Sequence, residues 1–292
     1  MKSFPVCRLK LQMTKICLAG LAVMLMTAPA GAQETDSLTF FPNDHLFAPL
    51  VADPKEPRFF ATICQYDNDI RGDFTGASVG YGETFGLVRK MLGPRRGWQL
   101  NLRGGIFSQF DMDTSSNNLL NTDYTIGLLW CYRRHNLSLR TRAYHQSSHL
   151  GDEYAREHPE MLETATGFDY EAIDVLLAWD FCRFRTYGGL HCLVQREPED
   201  IDRWGYQAGL EYHGVKEVVP YGVFVAGMDV KAFEELHWSP ACSLKAGLNF
   251  RNLGRNGRYI KVMAQYYNGF IPYGQFYDYD MECYGLGIYF GF

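Results

Sequence analysis

A histidine and a serine two residues apart, His145 and Ser147, are the residues of this chain whose types and spacing could carry out nucleophilic chemistry. Two acids, Asp169 and Glu171, stand at the start of the next apolar segment. A serine activated by a histidine that an acid orients is the arrangement of acyl transfer. The four residues can act together only if the chain brings these two segments side by side.

The segments that carry these residues alternate with a period of two, which is typical of strands. Continuing the apolar face of the first segment outward leads to His145 and Ser147, and the apolar face of the second includes Asp169 and Glu171. Antiparallel pairing then places Ser147 opposite Asp169 and His145 opposite Glu171, with Cβ atoms roughly 4.5–5.5 Å apart. The sequence therefore predicts one cluster on an outer wall.

The same alternation continues from residue 59 to residue 292, and its segments are long enough to cross a bilayer when tilted. Connections alternate between tight turns, such as Arg134-His135 and Phe181-Cys182, and long stretches, as in outer-membrane barrels. The sequence predicts an all-β fold, a single antiparallel transmembrane β-barrel of about twelve strands whose odd-numbered strands run outward. A soluble exported β-sandwich is the alternative. The candidate strands are 59–69, 74–88, 97–110, 121–134, 136–148, 167–180, 183–195, 203–214, 219–232, 239–250, 257–269 and 280–292.

The chain before the strands divides into two parts. Residues 1–32 have four basic residues and no acid, a short apolar run and a small-x-small site, which predicts a secretory signal peptide. Residues 33–58 are rich in proline and predict a short irregular periplasmic arm that folds against the barrel or closes its lower end. The remaining residues 59–292 form the predicted barrel. Removing the signal leaves 24 basic and 33 acidic residues, a balance that opposes nucleic-acid binding.

The inward parity of the strands collects charged residues of both signs. Opposite charges on neighbouring strands favour a largely filled lumen, and a narrow solute channel is the alternative. The parity of Cys131 and Cys283 is inward and that of Cys192 and Cys242 outward, and the sequence leaves disulfides undetermined. The predicted lumen-lining charges are Arg140, Arg142, Asp174, Arg185, Glu211, Lys245 and Lys261.

Three resemblances follow from these residues. The final strand, ending on Phe292, resembles the C-terminal assembly signal of outer-membrane proteins and implies the assembly machinery as a partner. The arm Pro42–Pro57 with residues 145–153 resembles a domain-of-unknown-function family of Gram-negative outer-membrane proteins, which implies that location. The His-x-Ser pair resembles outer-membrane phospholipase A and the lipid A deacylases. That resemblance implies His145 as base and Ser147 as nucleophile acting on outer-membrane lipids.

By the same resemblance Glu171 or Asp169 is the orienting acid, although the phospholipase has an asparagine in that role. Calcium is implied only if the phospholipase resemblance holds, and no other cofactor is predicted. A metal site using His145, His149, Asp152 and Glu153 is disfavoured because residues four apart on a strand are about 13 Å apart.

The sequence thus predicts an integral outer-membrane barrel, structural or a narrow channel, whose outward polar residues order an outer loop. A lipid acyl hydrolase using Ser147 and His145 is the alternative. The oligomeric state stays undetermined.

Overall fold

The computed structural model describes residues 36–159, 168–251 and 259–291. The predicted signal peptide and Phe292 lie outside these residues. The described chain forms thirteen strands, one short α-helix (α1) and two 3-10 turns. Their bounds are β1 Ser37–Phe40, β2 Phe59–Asn68, β3 Gly72–Gly93, β4 Arg96–Asp111, β5 Leu119–Arg134, β6 Leu137–Leu150, α1 Asp152–Glu157, β7 Phe168–Phe181, β8 Phe184–Glu197, β9 Trp204–Val219, β10 Gly222–Phe233, Glu234–Leu236 (3-10), β11 Ala241–Arg251, β12 Tyr259–Phe270, Gly274–Phe276 (3-10) and β13 Asp280–Gly291.

Twelve of these strands, β2 to β13, close into a barrel. Each strand pairs antiparallel with its neighbours in sequence, and β13 returns to pair with β2, so that Gly285 lies opposite Cys64. The predicted antiparallel barrel of twelve strands is therefore confirmed, and the soluble sandwich is wrong because a closed sheet has no second sheet to face. The additional strand β1 pairs with the far end of β3, with Ser37 opposite Met91.

Four connections of two residues, after β3, β5, β7 and β9, lie at one end of the barrel, which we call the inner end. Three of them turn on a non-glycine residue with positive φ, at His135, Cys182 and Tyr221 (55°, 54° and 62°). The predicted Arg134-His135 and Phe181-Cys182 turns thus lie one residue further on. The connections after the even-numbered strands β4, β6, β8, β10 and β12 are longer and lie at the other, outer end, where α1 follows β6.

The outward faces of the strands are apolar, as the period-two pattern predicts. Ile63, Ile126, Leu190 and Leu286 are each more than half exposed. Such a surface is stable against lipid hydrocarbon, and continuous apolar exposure of this size is unusual on a protein in water. Among the described residues, no helix is long and apolar enough to span a membrane.

The lumen is occupied by the proline-rich segment between β1 and β2. Leu50, Val51 and Ala52 have no exposed surface, and the Val51 amide donates a hydrogen bond of 2.6 Å to Glu211 on the inner wall. We call residues 41–58 the plug. The plug gives the barrel a packed interior, because its apolar side chains fill the space that the inward-facing wall leaves.

Candidate functional site

The strands β6 and β7 bring together the four residues with which the sequence analysis began. Their register places His145 opposite Glu171 and Ser147 opposite Asp169, as predicted. All four lie on the outward-facing side of the wall, and we call them the lipid-facing site. The register follows from the apolar residues below the site, since a slip of one residue would turn them all into the lumen.

His145 and Glu171 form the closest polar contact of the lipid-facing site. His145 Nδ1 lies 3.3 Å from Glu171 Oε1, and both side chains are 45% exposed. A carboxylate at Nδ1 fixes the orientation of the imidazole ring and leaves Nε2 free to accept a proton. The pair thus has the relation that a general base and its orienting acid require.

Ser147 lies two positions beyond His145 on the same face, and this residue is partly exposed. Among the described residues, no hydrogen bond joins the Ser147 hydroxyl to His145. Its neighbour Ser148 points to the opposite side and donates to Asn121 Oδ1 over 3.0 Å, and also bonds to Asp123. Adjacent serines therefore sit in two environments, one on the outer wall and one buried in the lumen.

Strand β8 extends the polar surface beyond Asp169 and Glu171. Glu197 lies opposite Asp169, Gln195 lies opposite Glu171, and the register shifts directly after Glu171. A bulge of this kind changes the direction of nearby side chains and is frequent beside active sites. Sequence reasoning did not include Glu197 or the bulge, because the period-two pattern of β8 carries no sign of an extra residue.

A metal at this end of the barrel receives no support from the described residues. They contain no group of three or more His, Cys, Asp or Glu side chains that could hold an ion. His149 instead packs against Tyr124, with ring centroids 5.8 Å apart. Asp152 and Glu153 begin α1, beyond the end of the strand.

The structure places all seven predicted lumenal charges inside the barrel. Arg142 Nε donates to Asp174 over 2.6 Å, and Arg140 lies 3.9 Å from the same carboxylate. Arg185 on β8 pairs with Glu211 on β9 at 3.4 Å. The two lysines, Lys245 and Lys261, lie over the Tyr289 and Tyr259 rings at 4.9 and 4.7 Å.

The plug supplies the charges that complete this interior. Glu56 lies 3.0 Å from Arg103 and 3.3 Å from Arg140, and all three are buried. Burial opposes ionisation of Glu56, but the two guanidinium groups outweigh it and hold the pKa of this carboxyl below its usual range. Glu56 therefore anchors the plug to two strands of the wall.

Asp53 and Lys55 make the corresponding contacts on other strands. Asp53 accepts a 2.6 Å bond from Lys231, and Lys55 pairs with Asp123. Burial opposes ionisation of Asp53, yet Lys231 and then Arg142 hold its pKa well below the usual range. We call Asp53, Lys55 and Glu56 with these wall partners the lumenal network.

The lumenal network was missed at the level of sequence, although its signal is present. Asp53, Lys55, Glu56 and Arg58 alternate with prolines, and such a dense set of both charge signs is what a buried, paired segment needs. Above the plug, a cavity of about 170 Å³ remains under the outer loops, lined in part by Tyr144.

Comparisons with known proteins agree with this fold. A family model described as a protein of unknown function (DUF1207) matches residues 20–292. No curated protein matches the chain. The outer-membrane phospholipase A from Escherichia coli is 13% identical and aligns over 80% of this chain and 90% of that chain, with a TM-score of 0.54. The Salmonella typhi outer-membrane phospholipase, a dimer with bound calcium, is 12% identical over 82% and 94% of the two chains, with a TM-score of 0.55.

Proposed function

The chain belongs to DUF1207, a protein family of unknown function, and we propose that it is an outer-membrane enzyme that hydrolyses acyl esters of membrane lipids. Ser147 is the nucleophile, His145 the base and Glu171 the orienting acid. The signal peptide, residues 1–32, is removed during export, and the C-terminal strand with Phe292 directs assembly of the barrel. The observation that carries the proposal is the contact of His145 Nδ1 with Glu171 on the lipid side of the wall.

The position of this contact is the first argument. Ionisable side chains on the lipid face of a barrel destabilise it, and the cost grows toward the middle of the bilayer. His145 and Glu171 are nevertheless on that face, above an apolar wall that includes Leu177. His145 lies five residues before the end of β6 at Leu150, so a side chain at this depth can meet the ester bonds of outer-leaflet lipids.

The chemistry follows from the order of the groups. His145 Nε2 takes the proton from Ser147 as the serine oxygen attacks the ester carbonyl. The ester bond to the lipid alcohol breaks, the alcohol leaves with the proton from His145, and the acyl group stays on Ser147. Water, deprotonated by His145, then releases the fatty acid and restores the serine. Glu171 holds the ring in one tautomer and stabilises its charged form in both steps.

The proposed substrate class is membrane lipid. The two phospholipases share the fold at 12–13% identity, which by itself indicates architecture and no activity. Both of these proteins are phospholipases, which act on phospholipids. A lipid substrate suits this chain for a separate reason, because its candidate nucleophile faces the bilayer.

The second candidate function is that of a barrel without catalysis, either structural or a narrow channel. The packed lumen argues against the channel. The plug fills the lumen and is tied to the wall by the lumenal network. Conductance across a planar bilayer tests this directly. We expect no steady conductance from the whole protein, and a stable ohmic conductance would favour the channel.

Calcium is a variable of the assay and is not part of the proposed mechanism. The described residues offer no cluster of ligands for it, and no step above requires a metal. Activity is measured with calcium and with a chelator, and a strict requirement would point to ligands supplied by a second copy or by lipid phosphates.

The test is fatty-acid release from phospholipid and from lipid A by the refolded protein and three variants. Ser147→Ala and His145→Ala should each lower release by roughly a thousandfold or more, because the two groups act as a unit. Ser148→Ala is the matched control, since this neighbouring serine faces the lumen, and it should keep most of the activity.

Heat-modifiable mobility on gels shows whether each variant is folded. Wild-type protein that releases no fatty acid from either lipid, or Ser147→Ala protein that matches it, would overturn the proposal. The polar residues of the lipid-facing site would then serve only to order the outer loop.

A further inference from the structure

Two cysteines meet at the line where the barrel closes. Cys64 lies on β2, the first strand of the barrel, and Cys283 lies on β13, the last. Both are buried, at 2% and 5% exposure. They are far apart in the chain and become neighbours only through closure of the barrel, so no local sequence pattern predicts their pairing.

The register of β2 and β13 places the two cysteines close together. Cys64 lies opposite Gly285 and Cys283 lies opposite Tyr66, so the two cysteines are diagonal neighbours on the inward face. Glycine at position 285 leaves room for the sulfur, since a Cβ atom there would lie 2.7 Å from Cys64 Sγ. Gln265 Nε2 contacts the same sulfur from β12 at 2.7 Å.

We propose that Cys64 and Cys283 form a disulfide that joins the first and last strands of the barrel. The two S–H bonds break and one S–S bond forms. Two protons and two electrons leave, and the electrons reduce an acceptor disulfide of the thiol–disulfide exchange class to two thiols. An oxidising compartment favours the product, and exported proteins fold in such a compartment.

The geometry requires a small adjustment. Diagonal neighbours in a sheet are about 7–8 Å apart at Cα, and disulfides span up to roughly 6.8 Å. A shift of about 1 Å between β2 and β13 is therefore needed. The β2–β13 pair tolerates this shift because Gly285 places no side chain against Cys64 Sγ.

The surroundings also indicate when the bond forms. The cavity beside Cys283 holds about 40 Å³ and is lined by Thr62, Tyr66 and Tyr289. A protein oxidant cannot enter it. Exchange with such an oxidant therefore precedes closure of the barrel, when both thiols are still accessible, and the bond then holds the two ends of the sheet together.

The remaining cysteines of the described chain have no such partner strand. Cys131 lies on β5, Cys192 on β8 and Cys242 on β11, while Cys182 is in an inner turn. These strands are not neighbours in the barrel. One disulfide and four thiols are the expected state.

The experiment is maleimide labelling of the full-length wild-type protein, isolated from outer membranes and denatured in the presence of the reagent. We expect label on Cys131, Cys182, Cys192 and Cys242 and none on Cys64 or Cys283, together with a peptide pair linked through residues 64 and 283. Reduction before labelling should add two labels to the intact mass. Label on Cys64 and Cys283 without reduction would overturn the proposal.

A matched variant distinguishes the loss of the Cys64–Cys283 bond from a general effect of losing a cysteine. Cys131→Ser removes another buried thiol and should keep the linked peptide. Cys283→Ser should expose Cys64 to label. Boiled wild-type protein should migrate faster without reductant than with it, because the bond closes most of the chain into a loop, and identical mobility would contradict the bond. None of these measurements depends on hydrolase activity.

Discussion

The lipid-facing site and the lumenal network both place ionisable side chains within the wall of one barrel, but in opposite surroundings. In the lumenal network each plug carboxylate is buried and has at least one cationic partner, as Glu56 has in Arg103 and Arg140. In the lipid-facing site His145 and Glu171 have each other at 3.3 Å and remain 45% exposed. The first arrangement suits stability and the second suits contact with another molecule.

This difference has a general lesson for barrels. A buried carboxylate with several donors is held in one position and cannot approach a substrate. A carboxylate with one imidazole partner, exposed on the other side, leaves that imidazole available for a proton transfer. Substitutions in the two regions should therefore separate activity from stability.

The largest expected effect is on activity. Glu171→Gln should lower the turnover rate by about 10³–10⁴-fold, because the amide no longer stabilises the charged imidazole or selects its tautomer. The unfolding midpoint in denaturant should change little, since the pair is half exposed. Asp169→Asn is the matched control and should keep most of the turnover. A larger loss from Asp169→Asn than from Glu171→Gln would exchange the roles of the two acids.

The next effect is on stability. Glu56→Ala should lower the free energy of unfolding by about 3–5 kcal/mol, because Arg103 and Arg140 would be left buried without their carboxylate. Denaturant unfolding in lipid vesicles measures it. Glu217→Ala, at the exposed end of β9, is the control and should be near neutral. An unchanged midpoint for Glu56→Ala would mean that the plug is not anchored by this pair.

The third effect depends on pH. The pKa values of Asp53 and Glu56 are lowered in the folded protein, so their stabilisation is complete above the unfolded values near 4 and is lost as the pH falls below them. Stability should therefore fall on acidification by at most about 1.4 kcal/mol per pH unit for each group. Unfolding midpoints between pH 7 and pH 3 measure this, and Asp53→Asn should reduce the slope. A flat profile would contradict the charged network.

The smallest effect lies at the inner end of the plug. Arg89 pairs with Asp44 at 2.7 Å, but the Asp44 side chain is 82% exposed. Asp44→Ala should change the free energy of unfolding by less than about 1 kcal/mol, because solvent screens exposed pairs. The same denaturation series measures it. A loss as large as that of Glu56→Ala would show that burial is not what distinguishes the two pairs.

Much of the fold could be predicted from the sequence because a strand in a barrel has two different faces. The alternation of apolar and small or polar residues placed most of the twelve barrel strands to within a few residues. Two strands extend five residues further, since β3 ends at Gly93 and β9 at Val219 where the pattern predicted ends at 88 and 214. The extension of β3 occurs because β3 also pairs with β1 at that end. A four-residue strand such as β1 has too few positions to show a period.

The strand register at the lipid-facing site could be predicted from the sequence, but the contribution of β8 to this site could not. Parity put His145 and Glu171 on one face, and antiparallel pairing put them opposite each other. The bulge after Glu171 and the position of Glu197 opposite Asp169 could not be predicted, because they depend on how β8 pairs with β7. A local pattern cannot show an irregularity in the pairing of two strands.

The sequence by itself determined the strand order, the two faces of the wall and the residues that could act at the lipid-facing site, because these depend on local periodicity and on neighbouring strands. Only the tertiary structure decided that the plug enters the lumen and that Cys64 meets Cys283. Both depend on the closure of the barrel, which joins segments distant in the chain. Closure creates the interior in which Glu56 contacts Arg103 and Arg140. A local alternation of residues does not encode contacts between segments so far apart in the chain.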